Sequence, residues 1–453
     1  NVTSAGFFVD EFFEGKYIAV NVIGEGSFKG LLKNGTDAVT PEFVTIEESL
    51  TLEDQQEKER QARAARLVAE GYTLIKSKED FENKISSSGK YVFGSDIDFK
   101  GSLSRNVVNN TFEGTIDGNG YTISGLNNED DFLFGEILTG TVEFININIS
   151  GSSFKSNTSD PNGNLPDGIF AKRVDGNSTS VKFINVNIIN SSYNVEDSIV
   201  GGLVGEVTNA ANLIVSQSSI EIEFKFNDNA NIFIRRDIGG LFGKLEDFGS
   251  LEITNSLVSG SFINNGSGGF ERIAAISGGV TPNSNNNGKI NIVQSLIYFE
   301  TAESSAGAAL IGHNFASSRT LIINISNGFI SSNIPSDSDS LIGFSFNNNQ
   351  SMNISNSLIQ TNSSSLTGSS IEVNSDKSVI IPWDFNDNSL DDNLYSSQIS
   401  GFEIFDTSNY DENYFINNWA FSGNDTIWSI NSGESLPYLF WQEEPLPEQI
   451  INS

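Results

Sequence analysis

The stretch Gly-Gly-Leu-Val-Gly at residues 201–205 returns as Gly-Gly-Leu-Phe-Gly at residues 239–243. Similar short apolar segments that end in a small residue precede and follow these two. The seven segments end at Gly135, Ala171, Gly205, Gly243, Gly278, Gly312 and Gly343. The steps between these end points are 36, 34, 38, 35, 34 and 31 residues, a spacing typical of a solenoid repeat.

A second type of run, in which apolar and polar residues alternate, follows the apolar segments. Clear examples begin at Val142, Val181, Leu251 and Met352. These runs are rich in β-branched residues and have a period of two, which indicates β-strands. Asn, Gly and Ser between the runs favour turns. We find no helical pattern of useful length between about residues 90 and 380.

Short strands at a fixed period predict an all-β parallel β-helix. In this solenoid each repeat forms one coil, and its backbone pairs with the coils about 4.8 Å above and below. We expect the glycine after each apolar segment to adopt φ > 0 at a tight corner. Recurring Asn residues are expected to stack in ladders of amide hydrogen bonds. An antiparallel sandwich or barrel would need hairpins about every 8–12 residues, and a propeller blade needs four strands, whereas we count two or three strands per repeat.

The composition excludes several classes of protein. The chain has 453 residues and a net charge of −33, with no Cys and one His. It therefore has no disulfide framework, no thiolate metal site and no metalloprotease motif with two histidines. The excess of acidic residues argues against a nucleic-acid partner. No apolar run reaches the roughly 18–20 residues that a membrane span needs.

The glycine-rich segments at 201–205 and 239–243 resemble the GLUG motif of secreted bacterial surface proteins. This motif occurs in the N-terminal region of IgA1-protease-type enzymes and in filamentous-haemagglutinin-like adhesins. The similarity extends upstream through 72–75, 79–81, 91–99 and 112–123, and downstream to Trp441. The later repeats, at 274–278 and 341–343, depart from the motif. The resemblance implies a right-handed parallel β-helix and an extracellular location, and it implies no particular ligand.

The segment 47–71 is rich in Glu, Gln, Arg and Ala, which are good helix formers. Thr51 through Asp54 resembles a capping box, and Gly71 is a stop signal. We predict a short N-terminal helix with one of two roles. It either caps the end of the solenoid, covering an exposed strand edge, or docks on a neighbouring subunit.

The remaining flanks are the N-terminal segment 1–46 and the C-terminal closing segment 383–453, on either side of a β-helix over 72–382. Residues 1–46 combine four Phe residues at 7, 8, 12 and 13 with a β-like run at 17–23. This segment either packs along its own β-helix or adds as a strand to the next copy, which would build a filament. The closing segment contains Trp383, Trp419, Trp428 and Trp441. These aromatics either seal the last coil or form a platform on which carbohydrate stacks.

We predict no catalytic residue and no organic cofactor. The lone His313 lies in Gly-His-Asn, without the Asp and Arg set of polygalacturonase-like β-helix enzymes. Nothing in the sequence fixes the separation of about 5–10 Å that paired catalytic carboxylates need. We interpret the acid pairs Asp96/Asp98 and Asp130/Asp131 as solvated turn residues.

Calcium is the one metal for which the sequence offers candidates, because oxygen-bearing residues alternate after Trp383. The loop does not match the EF-hand pattern, since Ser389 stands where that pattern has glycine and Tyr395 stands where it has the final glutamate. A looser site would use the following candidate ligands: Asp384, Asn386, Asn388, Asp391 and Asp392.

These observations favour a non-enzymatic, extracellular β-helical protein. We expect an adhesin or a structural subunit of a filament or surface layer, with the coils as a stiff scaffold. Its partners would be further copies of itself, through the N-terminal segment, or a ligand on a host or cell surface. The alternative is a carbohydrate-binding or carbohydrate-cleaving β-helix of the tailspike type. Many Asn-X-Ser/Thr sequons, among them Asn148, Asn190, Asn324 and Asn353, permit glycosylation.

Overall fold

The computed structural model describes the chain from residue 32 to residue 439, with gaps. The described ranges are 32–34, 37–39, 51–100, 112–129, 133–138, 140–155, 166–176, 178–195, 199–209, 212–226, 236–264, 271–282, 288–301, 306–314, 320–334, 339–345, 350–361, 365–367, 371–382, 399–404, 428–429 and 438–439. The chain divides into two compact units, Asn1–Arg63 and Ala64–Ser453.

The first unit contains an antiparallel pair, β1 (Leu32–Asn34) and β2 (Asp37–Val39), and the beginning of helix α1 (Leu52–Ala69). The predicted capping box is confirmed. Thr51 Oγ1 accepts from the amide of Asp54 at 3.1 Å, and the amide of Thr51 donates to Asp54 Oδ2 at 3.2 Å. In the segment 1–46, the Phe-rich part and the predicted β-like run at 17–23 lie outside the described residues.

The second unit is a parallel β-helix, as predicted from the repeat. Its strands form one large sheet and two smaller ones, numbered here along the chain. The large sheet contains β3 (Thr73–Ile75), β4 (Ser88–Phe93), β5 (Ile97–Asp98), β6 (Glu113–Asp117), β7 (Thr122–Ser124), β8 (Asn127–Glu129), β10 (Thr141–Ser150), β11 (Ser153–Lys155), β14 (Ser180–Val195), β17 (Asn212–Ser216), β18 (Ser219–Phe226), β21 (Ser250–Thr254), β22 (Leu257–Asn264), β25 (Gly288–Val293), β26 (Leu296–Thr301), β29 (Leu321–Ser326), β30 (Phe329–Asn333), β32 (Gln350–Ser355), β33 (Leu358–Thr361), β35 (Ile371–Pro382) and β36 (Ile399–Ile404).

The two smaller sheets are built from the apolar repeat segments. The eight-stranded sheet contains β9 (Phe134–Ile137), β13 (Ala171–Asp175), β16 (Val204–Thr208), β20 (Phe242–Glu246), β24 (Ser277–Thr281), β28 (Ile311–Asn314), β31 (Asp339–Ser345) and β34 (Ser365–Thr367). The five-stranded sheet contains β12 (Pro166–Gly168), β15 (Ile199–Gly201), β19 (Arg236–Gly239), β23 (Glu271–Ala274) and β27 (Ala306–Ala308). All strand pairs within these two sheets are parallel.

One coil therefore contains more strands than the sequence suggested. In the coil over 199–226 the chain passes through β15, β16, β17 and β18, four short strands rather than two or three. Each pairs in parallel with its counterpart in the next coil. The count of strands resembles that of a propeller blade, but the parallel register between coils defines a solenoid.

Apolar side chains face the interior and stack on one another from coil to coil. The alternation is clearest in β18, where Ile220, Ile222, Phe224 and Phe226 are buried. Aromatic rings form a column through successive coils: Tyr193 to Phe224 at 6.2 Å, Phe224 to Phe262 at 4.9 Å and Phe262 to Phe299 at 5.1 Å between centroids. Burial of this kind is the main stabilising term of the fold.

The glycines of the repeat lie at what we call the glycine corner, where the five-stranded sheet turns into the eight-stranded one. The expectation of positive φ is wrong here. None of the glycines at 201, 205, 239, 243, 278, 312 and 343 has φ in the left-handed region. Glycine is needed because two backbones approach closely. A Cβ at Gly201 would overlap the carbonyl oxygen of Val204 and lie 2.6 Å from the amide nitrogen of Gly243.

Positive φ occurs instead at a second turn, which we call the serine corner, between the two arms of the large sheet. Gln217 (φ 51°), Asn255 (48°), Gln294 (51°) and Asn356 (47°) adopt it, each followed by a serine. These serines form a buried ladder. The amide of Ser218 donates to Ser256 Oγ and that of Ser256 to Ser295 Oγ, each at 3.2 Å. Ser256 Oγ in turn donates to the carbonyl of Thr254 at 2.8 Å.

The predicted asparagine ladders are present. On the large sheet Asn324 Nδ2 donates to Asn291 Oδ1, and Asn353 Nδ2 donates to Asn324 Oδ1, both at 2.9 Å. At an earlier corner Asn185 Nδ2 donates to Asn146 Oδ1 at 2.8 Å. These bonds satisfy side-chain amides from one coil to the next along the outer surface.

The end of helix α1 and the whole of helix α2 lie at the beginning of the second unit. The last turns of α1 place Ala64 and Leu67 against Val92, and the helix ends before Gly71 (φ 97°). Helix α2 (Lys78–Lys84) starts at Ser77, whose Oγ accepts from the amide of Asp80 at 3.2 Å. Phe81 of α2 enters the core beside Phe99, at 5.3 Å between ring centroids.

Of the C-terminal closing segment, the structure describes β36 and an antiparallel pair, β37 (Trp428–Ser429) with β38 (Tyr438–Leu439). Trp383, Trp419 and Trp441 lie outside the described residues. The two predicted roles of these aromatic residues, closing the last coil and stacking on carbohydrate, therefore stay predictions.

Candidate functional site

Most of the sequence-predicted site residues lie outside the residues that the structure describes. The calcium candidates Asp384, Asn386, Asn388, Asp391 and Asp392 all lie outside the described residues, so that site stays a prediction. Asp130 and Asp131 lie outside them as well. Asp96 and Asp98 bind backbone amides, since Asp96 Oδ1 accepts from Thr122 at 2.7 Å and Asp98 Oδ1 from Lys100 at 2.9 Å.

His313 lies in β28, in register between Gly279 of the preceding coil and Phe344 of the following one. It is 8% exposed. The structure brings a buried ion pair close to this part of the fold, because Arg272 Nη1 donates to Asp237 Oδ1 at 2.7 Å on the five-stranded sheet. The residue Gly279 leaves room for that pair, as a Cβ there would lie 2.9 Å from Asp237 Cγ.

A column of alternating charge runs along the eight-stranded sheet, one residue per coil. Glu136, Arg173, Glu206 and Lys244 occupy consecutive positions in register. Arg173 Nη2 lies 3.0 Å from Glu206 Oε2, and Lys244 Nζ lies 3.4 Å from Glu206 Oε1. Opposite charges thus alternate from coil to coil, which supports the register of the sheet.

Lys244 has a second acidic partner besides Glu206. Its ammonium also donates to Glu246, a residue of the same strand. Burial by itself would lower the pKa of Lys244, but the hydrogen bond and charge of Glu246 and the charge of Glu206 outweigh burial and raise the pKa above its usual value. Lys244 therefore stays charged throughout the neutral pH range.

Next to this column lies a cavity of about 280 Å³. Seven polar residues from three coils line it: Arg173, Asp175, Glu206, Thr208, Asn209, Glu246 and Asp247. Asp175, Thr208 and Glu246 are in register at the ends of their strands. Their arrangement follows directly from the stacking of coils, because the same strand end recurs at each level.

The acidic groups in this cavity differ in how they are compensated. Glu206 has two cationic partners, and Asp175 Oδ1 accepts from Asn209 Nδ2 at 3.1 Å. Asp247 is 2% exposed, and its Oδ1 has no hydrogen-bond partner among the described residues. Thr208 Oγ1 is likewise buried without a partner. Sequence reasoning missed this site, because its residues come from three coils whose contributions are more than 30 positions apart and none forms a local motif.

No group of three or more Asp, Glu, His or Cys that could hold a metal ion occurs in the described ranges. Among the helices of these ranges, none is long and apolar enough to span a membrane. Asn324 and Asn353, two of the sequon residues, have their amides engaged in the asparagine ladder.

Comparison with known proteins gives no family for this chain. No protein-family model matches it, and no curated protein sequence is significantly similar to it.

Proposed function

We propose that the chain is a non-enzymatic, extracellular structural protein whose β-helix serves as a stiff scaffold. The observation that carries this proposal is the unbroken pairing of the large sheet. Eleven strands, from β3 through β4, β6, β10, β14, β17, β21, β25, β29 and β32 to β35, each pair in parallel with the next. Ten steps of about 4.8 Å give a continuous ladder roughly 50 Å long.

The way in which the outer polar groups are satisfied supports a scaffold role. Asparagine amides and alternating charges bond chiefly to their counterparts in neighbouring coils. Such bonds join each coil to the next and resist bending or local opening of the stack.

The extracellular part of the proposal rests on the resemblance of residues 201–205 and 239–243 to the GLUG motif. We extend it to surface display as an adhesin or as a subunit of a filament or surface layer. The net charge of −33 fits a chain that stays soluble at high local density, because like-charged copies repel one another except where specific contacts form.

Labelling of intact cells tests the location directly. Antibodies to the full chain are applied to cells that express it, with and without permeabilisation. We expect equal labelling in both, together with loss of the signal after external protease treatment. Labelling that requires permeabilisation would contradict display on the surface.

Electron microscopy of the purified chain tests the assembly. We expect filaments or lattices from the full chain and single particles from a variant that lacks residues 1–46. Filaments that persist without residues 1–46 would refute the role of that segment. Cleavage of a polysaccharide by the purified chain would refute the non-enzymatic assignment.

A further inference from the structure

We propose that the cavity beside Asp247 binds a hydrated divalent cation. This site involves none of the calcium candidates in the closing segment, and it lies within the repeats, at the ends of β16 and β20. The proposal is independent of where the protein is located and of whether it assembles.

Asp247 differs from the other acidic residues that line this cavity. Its carboxylate is almost fully buried, and its Oδ1 has no hydrogen-bond donor among the described residues. Asp247 forms no ion pair in the described part of the chain either, whereas Glu206 and Glu246 both contact Lys244. A buried carboxylate oxygen that accepts no hydrogen bond is costly, and a cation with its hydration water can satisfy it.

Oxygen donors predominate in the lining of the cavity that contains Asp247, and the one cationic side chain there, Arg173, is paired with Glu206. Thr208 Oγ1 is also buried without a partner and lines the same cavity. Asn209 and Glu246 add amide and carboxylate oxygens to the lining. Oxygen donors of this type suit Ca²⁺ and Mg²⁺, which bind through carboxylate, carbonyl and water oxygens.

The volume of the cavity indicates that the ion keeps part of its water. A water molecule occupies about 30 Å³ in the liquid, so 280 Å³ holds an ion together with several waters. The described residues contain no group of three or more Asp, Glu, His or Cys that could hold a bare ion. Waters therefore complete the coordination shell, as is usual for Mg²⁺ and frequent for Ca²⁺.

The preceding coil provides an internal comparison. Asn209 occupies the position that Asp247 occupies one coil later, with φ 53° against 51°. Its side chain donates to Asp175, so a neutral amide fills this corner and satisfies its neighbour. The backbone conformation therefore does not require an acid at 247, and the charge of Asp247 serves something other than the turn.

The experiment is calorimetric titration of the chelator-treated full chain with CaCl₂ and, separately, with MgCl₂. A buffer of about 0.15 M NaCl screens the diffuse binding that the net charge causes. We expect a saturable site in the wild type, whose affinity falls at least tenfold in Asp247→Asn. The matched control is Glu252→Gln, which removes one exposed charge in the same coil and leaves that site intact.

Asp247→Asn is expected to fold, because Asn209 shows that the corner accepts an amide. Its thermal midpoint in chelator should be no lower than that of the wild type, while the divalent ion raises only the wild-type midpoint. Thr208→Val provides a second variant, with binding weakened severalfold. The proposal is overturned if wild type and Asp247→Asn bind equally, if Thr208→Val binds like wild type, or if the wild type shows only weak uptake without saturation.

Discussion

The glycine corner and the serine corner both turn the chain in successive coils, yet they do so by different physical means. At the glycine corner two backbones lie so close that no side chain fits, as at Gly201. At the serine corner the backbone adopts a left-handed conformation, and a buried hydroxyl such as Ser256 Oγ satisfies backbone groups of its own and the preceding coil. The glycine corner therefore requires that no side chain be present, whereas the serine corner requires a hydroxyl group.

The largest expected effect is at the glycine corner. Gly201→Ala places a Cβ against the carbonyl oxygen of Val204 and the amide of Gly243, and neither backbone group can move without disturbing its strand pairing. We expect a loss of about 3 kcal/mol in the free energy of unfolding. Chemical denaturation followed by far-ultraviolet circular dichroism measures it.

The matched change at the other corner is Gly328→Ser, since Gly328 replaces the serine in its coil. A Cβ there would lie 2.9 Å from the Cγ2 of Ile325, which is the end of a side chain, and at ordinary contact distance from the carbonyl oxygen of Ser295, 3.6 Å, and Ser357 Oγ, 3.8 Å. The new hydroxyl would complete the serine ladder between Ser295 and Ser357. We expect a change of less than about 1 kcal/mol, of either sign. A loss as large as that of Gly201→Ala would erase the distinction between the corners.

The next effect is loss of one hydroxyl from the ladder. Ser256→Ala leaves the amide of Ser218 without its acceptor in a fully buried place. The expected cost is about 2 kcal/mol, measured by the same denaturation. Ser259→Ala, a change of the same size at a half-buried position, should cost less than about 0.5 kcal/mol. Equal losses in both variants would show that the ladder contributes nothing specific.

An effect smaller than that of the lost ladder hydroxyl is expected in the column of alternating charge. Because the folded state raises the pKa of Lys244, its stabilising contribution is complete below the usual lysine pKa of 10.5 and disappears as the pH rises through the raised value. Lys244→Met should therefore lower stability by about 1 kcal/mol at neutral pH. The difference in free energy of unfolding between this variant and the wild type should decrease as the pH rises above the usual lysine pKa. A difference that is constant or widens with pH in that range would contradict the pairing of Lys244 with Glu206 and Glu246.

The fold could be predicted because two periods coincide in the sequence. Alternation with period two identifies strands such as β10 and β14, and the repeat of about 35 residues orders them into coils. The reason for the glycines could not be predicted, since a glycine required by close approach and one required by positive φ look the same in a sequence. Most non-glycine residues with positive φ in the described part of the chain are Asn or Gln, at other turns of the coils.

The cavity could not be predicted from the sequence either, for a different reason. Asp247 can be recognised only when it is aligned with Asn209 and when Thr208 is known to pair with Glu246. Steps between the repeats vary from 31 to 38 residues, so spacing alone does not fix which residues stand above one another. The predicted calcium site after Trp383 remains a separate prediction, on residues that the structure does not describe.

The stacking of coils in this register is the central claim, and cysteine pairs test it most directly because the chain has no cysteine of its own. Glu221 of β18 stands opposite Ser259 of β22, and Ser261 is displaced from it by two residues. We predict that oxidation of Glu221→Cys/Ser259→Cys forms an intramolecular disulfide in most molecules, counted by loss of free thiols. Glu221→Cys/Ser261→Cys should remain largely reduced. Equal crosslinking in both pairs, or none in the first, would contradict the parallel β-helix.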